Sequence, residues 1–132
     1  MEYKPGDSAT FSKTISESDI YQFAGITGDL NPIHINEEYA KTTRFGKRIA
    51  HGMLTSSFIC TVLGMKMPGP GTIHISQQLE FKGPVFIGDT ITVNLEILEI
   101  LEKGHLKIKS FIYNQNKDLI VNGFAIVKPP KQ

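Results

Sequence analysis

Asp29 and His34 stand five residues apart in the segment TGDLNPIHI, with Asn31 and Pro32 between them. A carboxyl group and an imidazole can each carry a proton near neutral pH, so a pair bracketing one water can act as general base and general acid. Each such proton transfer is worth ~10²–10⁴-fold in rate. Pro32 lacks an N–H and disfavours a helical residue before it, so positions 29–34 are expected to form a turn rather than a continuous helix. A turn can fold both side chains toward one point. Asn31 tolerates unusual backbone angles and can bond its own loop, which would hold that turn. Ile33 and Ile35 are expected to face the other way as anchors. A third element follows at Gly52, where a helical stretch begins. The first N–H groups of a helix have no partner within it, and they sit at the positive end of its dipole. Glycine lets a carbonyl approach that backbone closely. A donor acting on a developing oxyanion is worth about 3 kcal/mol.

The remaining chemistry-bearing residues suggest less. His51 precedes the helix and is expected to cap it or bond a loop. His74 and His105 lie in strand patterns and are expected at the surface. No His, Cys or acid pair has zinc spacing, so no metal is expected, and no cofactor. Cys60, on a greasy helix, reads as packing rather than as a nucleophile. Gly69 and Gly71 belong to a Pro-Gly turn without the Lys-Ser/Thr of a phosphate loop. Arg44, Lys47, Arg48 and Lys66 read as solvated surface charges that could also meet phosphates.

The elements that must position Asp29, His34 and Gly52 follow from periodicity. Phe11 alternates with polar neighbours in a short strand after the Pro5-Gly6-Asp7 turn. Ser16 or Ser18 can cap a helix through Ile20, Phe23 and Ala24, closed by Gly25 and Gly28. Asn36 can cap EEYAKTT, whose acids suit a first turn. The stretch 51–67 leaves almost no solvent face and reads as a buried helix. From Thr72 the period becomes two, in TIHISQQLEF, TITVNLEILEIL, HLKIKSFIYN and LIVNGFAIV. These predict four strands in a meander, five with the early one. The fold class is therefore α+β. A curved antiparallel sheet must cover its apolar face, and the 51–67 helix is the only long apolar object available. The sheet is expected to wrap it, with open edges that pair two copies into a homodimer or higher homo-oligomer.

Bulk properties bound the function. At 132 residues the chain reads as one domain over 1–132, with a real core. A net charge of +1 leaves no nucleic-acid footprint. The single cysteine excludes an internal disulfide. The N-terminus lacks an apolar signal core, and no run of 18 apolar residues can span a membrane. The expected setting is soluble and cytoplasmic.

The segments FAGITGDLNPIHINEEYA, RIAHGMLTSSF and ISQQLEFKGPVFIGDTITV resemble the MaoC-like, (R)-specific enoyl-CoA hydratase family, over roughly Tyr3 to Val127. The specific feature is G-D-x-N-P-I-H followed about sixteen residues later by A-H-G-M. The resemblance implies a hot-dog fold and addition of water across a trans-2-enoyl thioester of CoA or acyl carrier protein, giving an (R)-3-hydroxyacyl product. It implies catalytic roles for Asp29 and His34, and a substrate-binding role for Gly52, with Asn31 in the motif. The acyl tail is expected along the helix, near Phe58, Thr61 or Leu63. One departure stands out: where relatives often carry an assisting serine on this helix, an ungapped alignment places Cys60. Two rival readings remain at this level. A hot-dog thioesterase would attack the carbonyl carbon instead of C3. A non-catalytic acyl-binding partner domain would need none of the three groups.

Overall fold

The computed structural model describes residues 2–131. Strand β1 (Ser8–Thr14) leads into helix α1 (Glu17–Thr27). Two short helices follow, α2 (Pro32–Ile35) and α3 (Glu37–Lys41), and then the long helix α4 (Gly52–Met65). Strands β2 (Ile73–Phe81), β3 (Thr90–Ile100), β4 (Leu106–Tyr113) and β5 (Leu119–Lys128) complete the chain. All five strands form one antiparallel sheet in the order β1-β3-β4-β5-β2. Only β3, β4 and β5 form a meander. The expected four-strand meander is corrected at β2, which pairs with β5 and lies at the sheet edge. The loop after Phe81 crosses to the far side of the sheet before β3 begins, so chain neighbours are not sheet neighbours.

Alternation explains the core. Ile91, Val93, Leu95 and Ile97 of β3, Leu106, Ile108 and Ile112 of β4, and Val121, Ala125 and Val127 of β5 all point inward and are buried. They meet Leu54, Ile59, Val62 and Leu63 of α4 in one apolar cluster. Removing that apolar area from water is the main term holding the sheet around the helix. This is the hot-dog arrangement expected from the sequence, in the α+β class.

The helix is not buried on all sides, however. Met53 and Met65 are 57% and 71% exposed, and Cys60 is exposed as well. The reading of Cys60 as a packing residue is corrected. It faces out toward β2, with its Sγ 3.8 Å from Nδ1 of His74. A curved sheet covers one flank of a helix, and hydrophobicity alone does not say which residues lie on the other.

Local signals place α1. Ser16 accepts from the Asp19 N–H at 3.0 Å while Asp19 accepts from the Ser16 N–H at 2.9 Å, a reciprocal capping box. Gly28 ends the helix in the left-handed region (φ 79°), which glycine adopts without strain. That stop releases the chain into the loop carrying Asp29.

Candidate active site

The loop after α1 is a ladder of short side-chain bonds. Thr27 Oγ1 accepts from the Asp29 N–H, Asp29 Oδ1 from the Asn31 N–H, and Asn31 Oδ1 from the Ile33 N–H, at 3.1, 3.1 and 3.2 Å. Pro32 takes the first position of α2, where its missing N–H costs nothing. The expected plain turn is thus corrected to a turn closed by one helical turn. That helical turn carries His34 inward while Asp29 stays exposed.

His34 is fixed by the backbone. Its Nδ1 lies 2.7 Å from the Ile49 carbonyl. A carbonyl only accepts, so Nδ1 carries the proton and Nε2 keeps its lone pair. The Ile49 N–H in turn donates to the Ile33 carbonyl at 3.3 Å, binding segment 48–50 to α2. Burial holds the imidazole below its ordinary value. The Ile49 carbonyl and Asp29 oppose that shift, and His51 adds to it. An unfolded histidine gains a proton as pH falls through about 6.5, whereas this folded one resists. Stability is therefore fully present above that pH and declines below it. We expect the melting temperature to fall between pH 7.5 and 5.5, and His34→Gln to shrink that fall in thermal denaturation at both pH values.

Arg48 reinforces the same segment. It was expected to be solvated but is buried, which corrects that reading. Its guanidinium donates to Glu37 Oε2 at 2.7 Å, to the Tyr21 hydroxyl at 2.9 Å and to Glu17. One side chain thereby joins α1 and α3 to the strand of chain that holds His34. The guanidinium pKa is raised, chiefly by Glu17. Both carboxylates are half exposed, which weakens each pair. Arg48→Met should cost about 2 kcal/mol, seen as a lowered melting temperature.

Asp29, His34 and Gly52 meet at one cavity of about 750 Å³. A carboxylate oxygen of Asp29 and ring nitrogens of His34 and His51 lie within 4.8 Å of one another. That separation suits a single water bonded to both Asp29 and His34. The His34 and His51 rings are stacked, with centroids 3.9 Å and planes 28° apart. Gly52 opens α4 at the cavity wall. A Cβ there would come within 2.9 Å of the Phe81 ring, so a larger residue would have to displace that half-exposed side chain.

Other expectations are corrected. Asn31 does not line the cavity; it is exposed and caps α2. Phe58 and Leu63 do not line it either. Leu63 is buried in the core, and Phe58 packs near Phe11 with ring centroids 6.3 Å apart. Thr55, one turn into α4, lines it instead. Lys66 is turned away and donates to the Thr10 carbonyl. Of the two roles expected of His51, the side-chain cap of α4 is absent and the loop bond is present, with Nε2 3.1 Å from the Asp29 carbonyl. Phe81, Lys82 and Val85 form a wall that periodicity missed. The signal for it was the Gly83-Pro84 break that ends β2 at this point. Arg44 and Lys82 bring positive charge to the cavity. Among the described residues, no helix is long and apolar enough to cross a membrane.

Comparison with known proteins places this architecture. The chain is 48% identical over 130 residues to an (R)-specific enoyl-CoA hydratase from Rhodospirillum rubrum, covering 98% of this chain and 90% of that protein. It is 42% identical over 127 residues to a 3-hydroxybutyryl-CoA dehydratase from Methylorubrum extorquens, covering 96% and 81%. The solved structure of the unliganded R-hydratase PhaJ1 from Pseudomonas aeruginosa superposes with a TM-score of 0.95 at 40% identity, covering 99% of this chain and 84% of that one. The family described as MaoC like domain matches residues 2–117. A loop presenting an acid and an imidazole to the start of a helix wrapped in an antiparallel sheet is thus built on a sequence that belongs to the MaoC-like domain family.

Proposed function

We propose that this chain is an (R)-specific enoyl-CoA hydratase, adding water across a trans-2-enoyl-CoA to give an (R)-3-hydroxyacyl-CoA, with dehydration as the reverse. The observation that carries this reading is the convergence of Asp29, His34 and the Gly52 helix start on one cavity. Close relatives that bear hydratase and dehydratase names support it.

The chemistry needs a base for water, a proton for C2 and a partner for charge on the thioester oxygen. His34 enters neutral, with Nε2 free to take a proton from water. Asp29 orients that water and stabilises the imidazolium that forms. Hydroxide adds to C3, and the electron pair moves through C2 onto the thioester oxygen. The N–H groups opening α4 at Gly52 receive that oxygen. As the enolate collapses, the imidazolium proton passes to C2. One water then supplies both added atoms on one face, and the pair returns to its starting state. Asn31 serves by holding the Asp29 loop.

The CoA carrier fits Arg44 and Lys82 at the cavity, which offer two cations toward an anionic handle. We place the second copy of a homodimer along β2. That edge strand has one unpaired side and exposes Ile73 and Ile75, at 58% and 49%. The chain works as one domain over 1–132, in the cytoplasm, where its lone thiol stays reduced.

A spectrophotometric assay tests the reading. Incubation with a trans-2-enoyl-CoA should remove the enoyl absorbance without releasing free thiol. Free thiol would identify a thioesterase, and no change at all would identify a non-catalytic acyl-binding domain.

A further inference from the structure

His51 occupies the residue before α4 but does not act as a helix cap. The residue is 3% exposed and its side chain makes no cap bond to the helix. It touches instead both residues proposed for catalysis. One face stacks on His34, at 3.9 Å between centroids. Its Nε2 is 3.1 Å from the Asp29 backbone carbonyl. Phe23 closes over the ring, at 4.9 Å and 56°.

These contacts orient the ring. The Asp29 carbonyl can only accept, so Nε2 donates to it. Nδ1 is buried and has no hydrogen-bond partner among the described residues. Serine, threonine, aspartate or asparagine would cap α4 far better at this position. A buried orphan nitrogen where a cap would stabilise the helix is a local sacrifice, of the kind found at functional sites.

We propose that His51 is a positioning residue for hydration: its ring simultaneously tethers the Asp29 backbone and covers one face of His34, setting the gap in which the reacting water sits. The inference rests on the hydratase reading. The ionisable groups around the ring are few: Asp29 and His34 touch it, and Arg44 and Lys82 share its cavity. His51 acts through Asp29 and His34, not on the substrate.

Two substitutions separate its two contacts. His51→Phe keeps a ring over His34 and loses the donor to Asp29. His51→Gln keeps an amide donor and uncovers the His34 ring to water, which favours imidazolium. With the full chain and a trans-2-enoyl-CoA, both variants should lose about 10- to 100-fold in kcat, with KM within about twofold of the parent. The acidic limb of the kcat/KM profile should move to higher pH in both variants, and further for His51→Gln than for His51→Phe. Asp29→Asn runs alongside as the control. If it is inactive while both His51 variants keep the parent's kcat and limb per folded protein, the inference is overturned and the hydratase reading stands. Loss of activity that only tracks loss of folded protein overturns it equally. A parent that does not hydrate enoyl-CoA removes the reading itself, and this inference with it.

Discussion

Asp29→Asn and His34→Ala are each expected to lower kcat for enoyl-CoA hydration at least ~10²-fold while the fold persists. Asparagine retains an oxygen that can accept from the Asn31 N–H, so the ladder holding the loop survives. What disappears is the charge that orients water and steadies the imidazolium. His34→Ala removes the lone pair that receives the water proton. It also vacates the contact with the Ile49 carbonyl, so circular dichroism and a melting curve must accompany the kinetics. Because both groups serve one water, the double variant should lose little more than the worse single one. Parental kcat in both single variants would remove these residues from the mechanism.

The largest effect on folding is expected at Gly123. It lies in β5 between Leu79 of β2 and Ser110 of β4. A Cβ there would overlap the Gln78 carbonyl oxygen and come within 2.8 Å of the Gln78 carbonyl carbon. Neither is the end of a flexible side chain, so the backbone itself must separate. Gly123→Ala should therefore cost at least ~3 kcal/mol, well above an ordinary substitution. For a domain of this size that is a fall of roughly 10 °C in Tm. Activity should fall further than folding alone explains, because β2 carries Phe81 to the cavity wall. A melting temperature within about 2 °C of the parent would show that β2 can slide off without penalty.

Local chemistry was legible in the sequence, and distant pairing was not. Asp29, His34 and Gly52 stand out because the proline, the glycine and the helix start are local signals, and all three residues do reach one cavity. The strands follow from period-two alternation, and the buried faces of β3, β4 and β5 obey it. The position of β2 does not follow, because its partner begins about forty residues later, and no short-range rule joins Gln78 to Gly123. Arg48 looked solvated because its carboxylate partners lie 11 and 31 residues away. Phe58 and Leu63 looked like pocket residues because α4 is apolar nearly all round. Which flank faces the cavity depends on how the sheet curves, and only packing decides that. His51 was visible in A-H-G-M, but its stack on His34 needed the 48–50 segment to dock on α2.

The claim that one water, shared by Asp29 and His34, supplies both new atoms is tested most directly by hydrating a trans-2-enoyl-CoA in D₂O and reading the product by NMR. The account predicts an (R) hydroxyl at C3 with deuterium at C2 on the same face. Deuterium on the opposite face, or free thiol in place of a hydroxyacyl product, would contradict it.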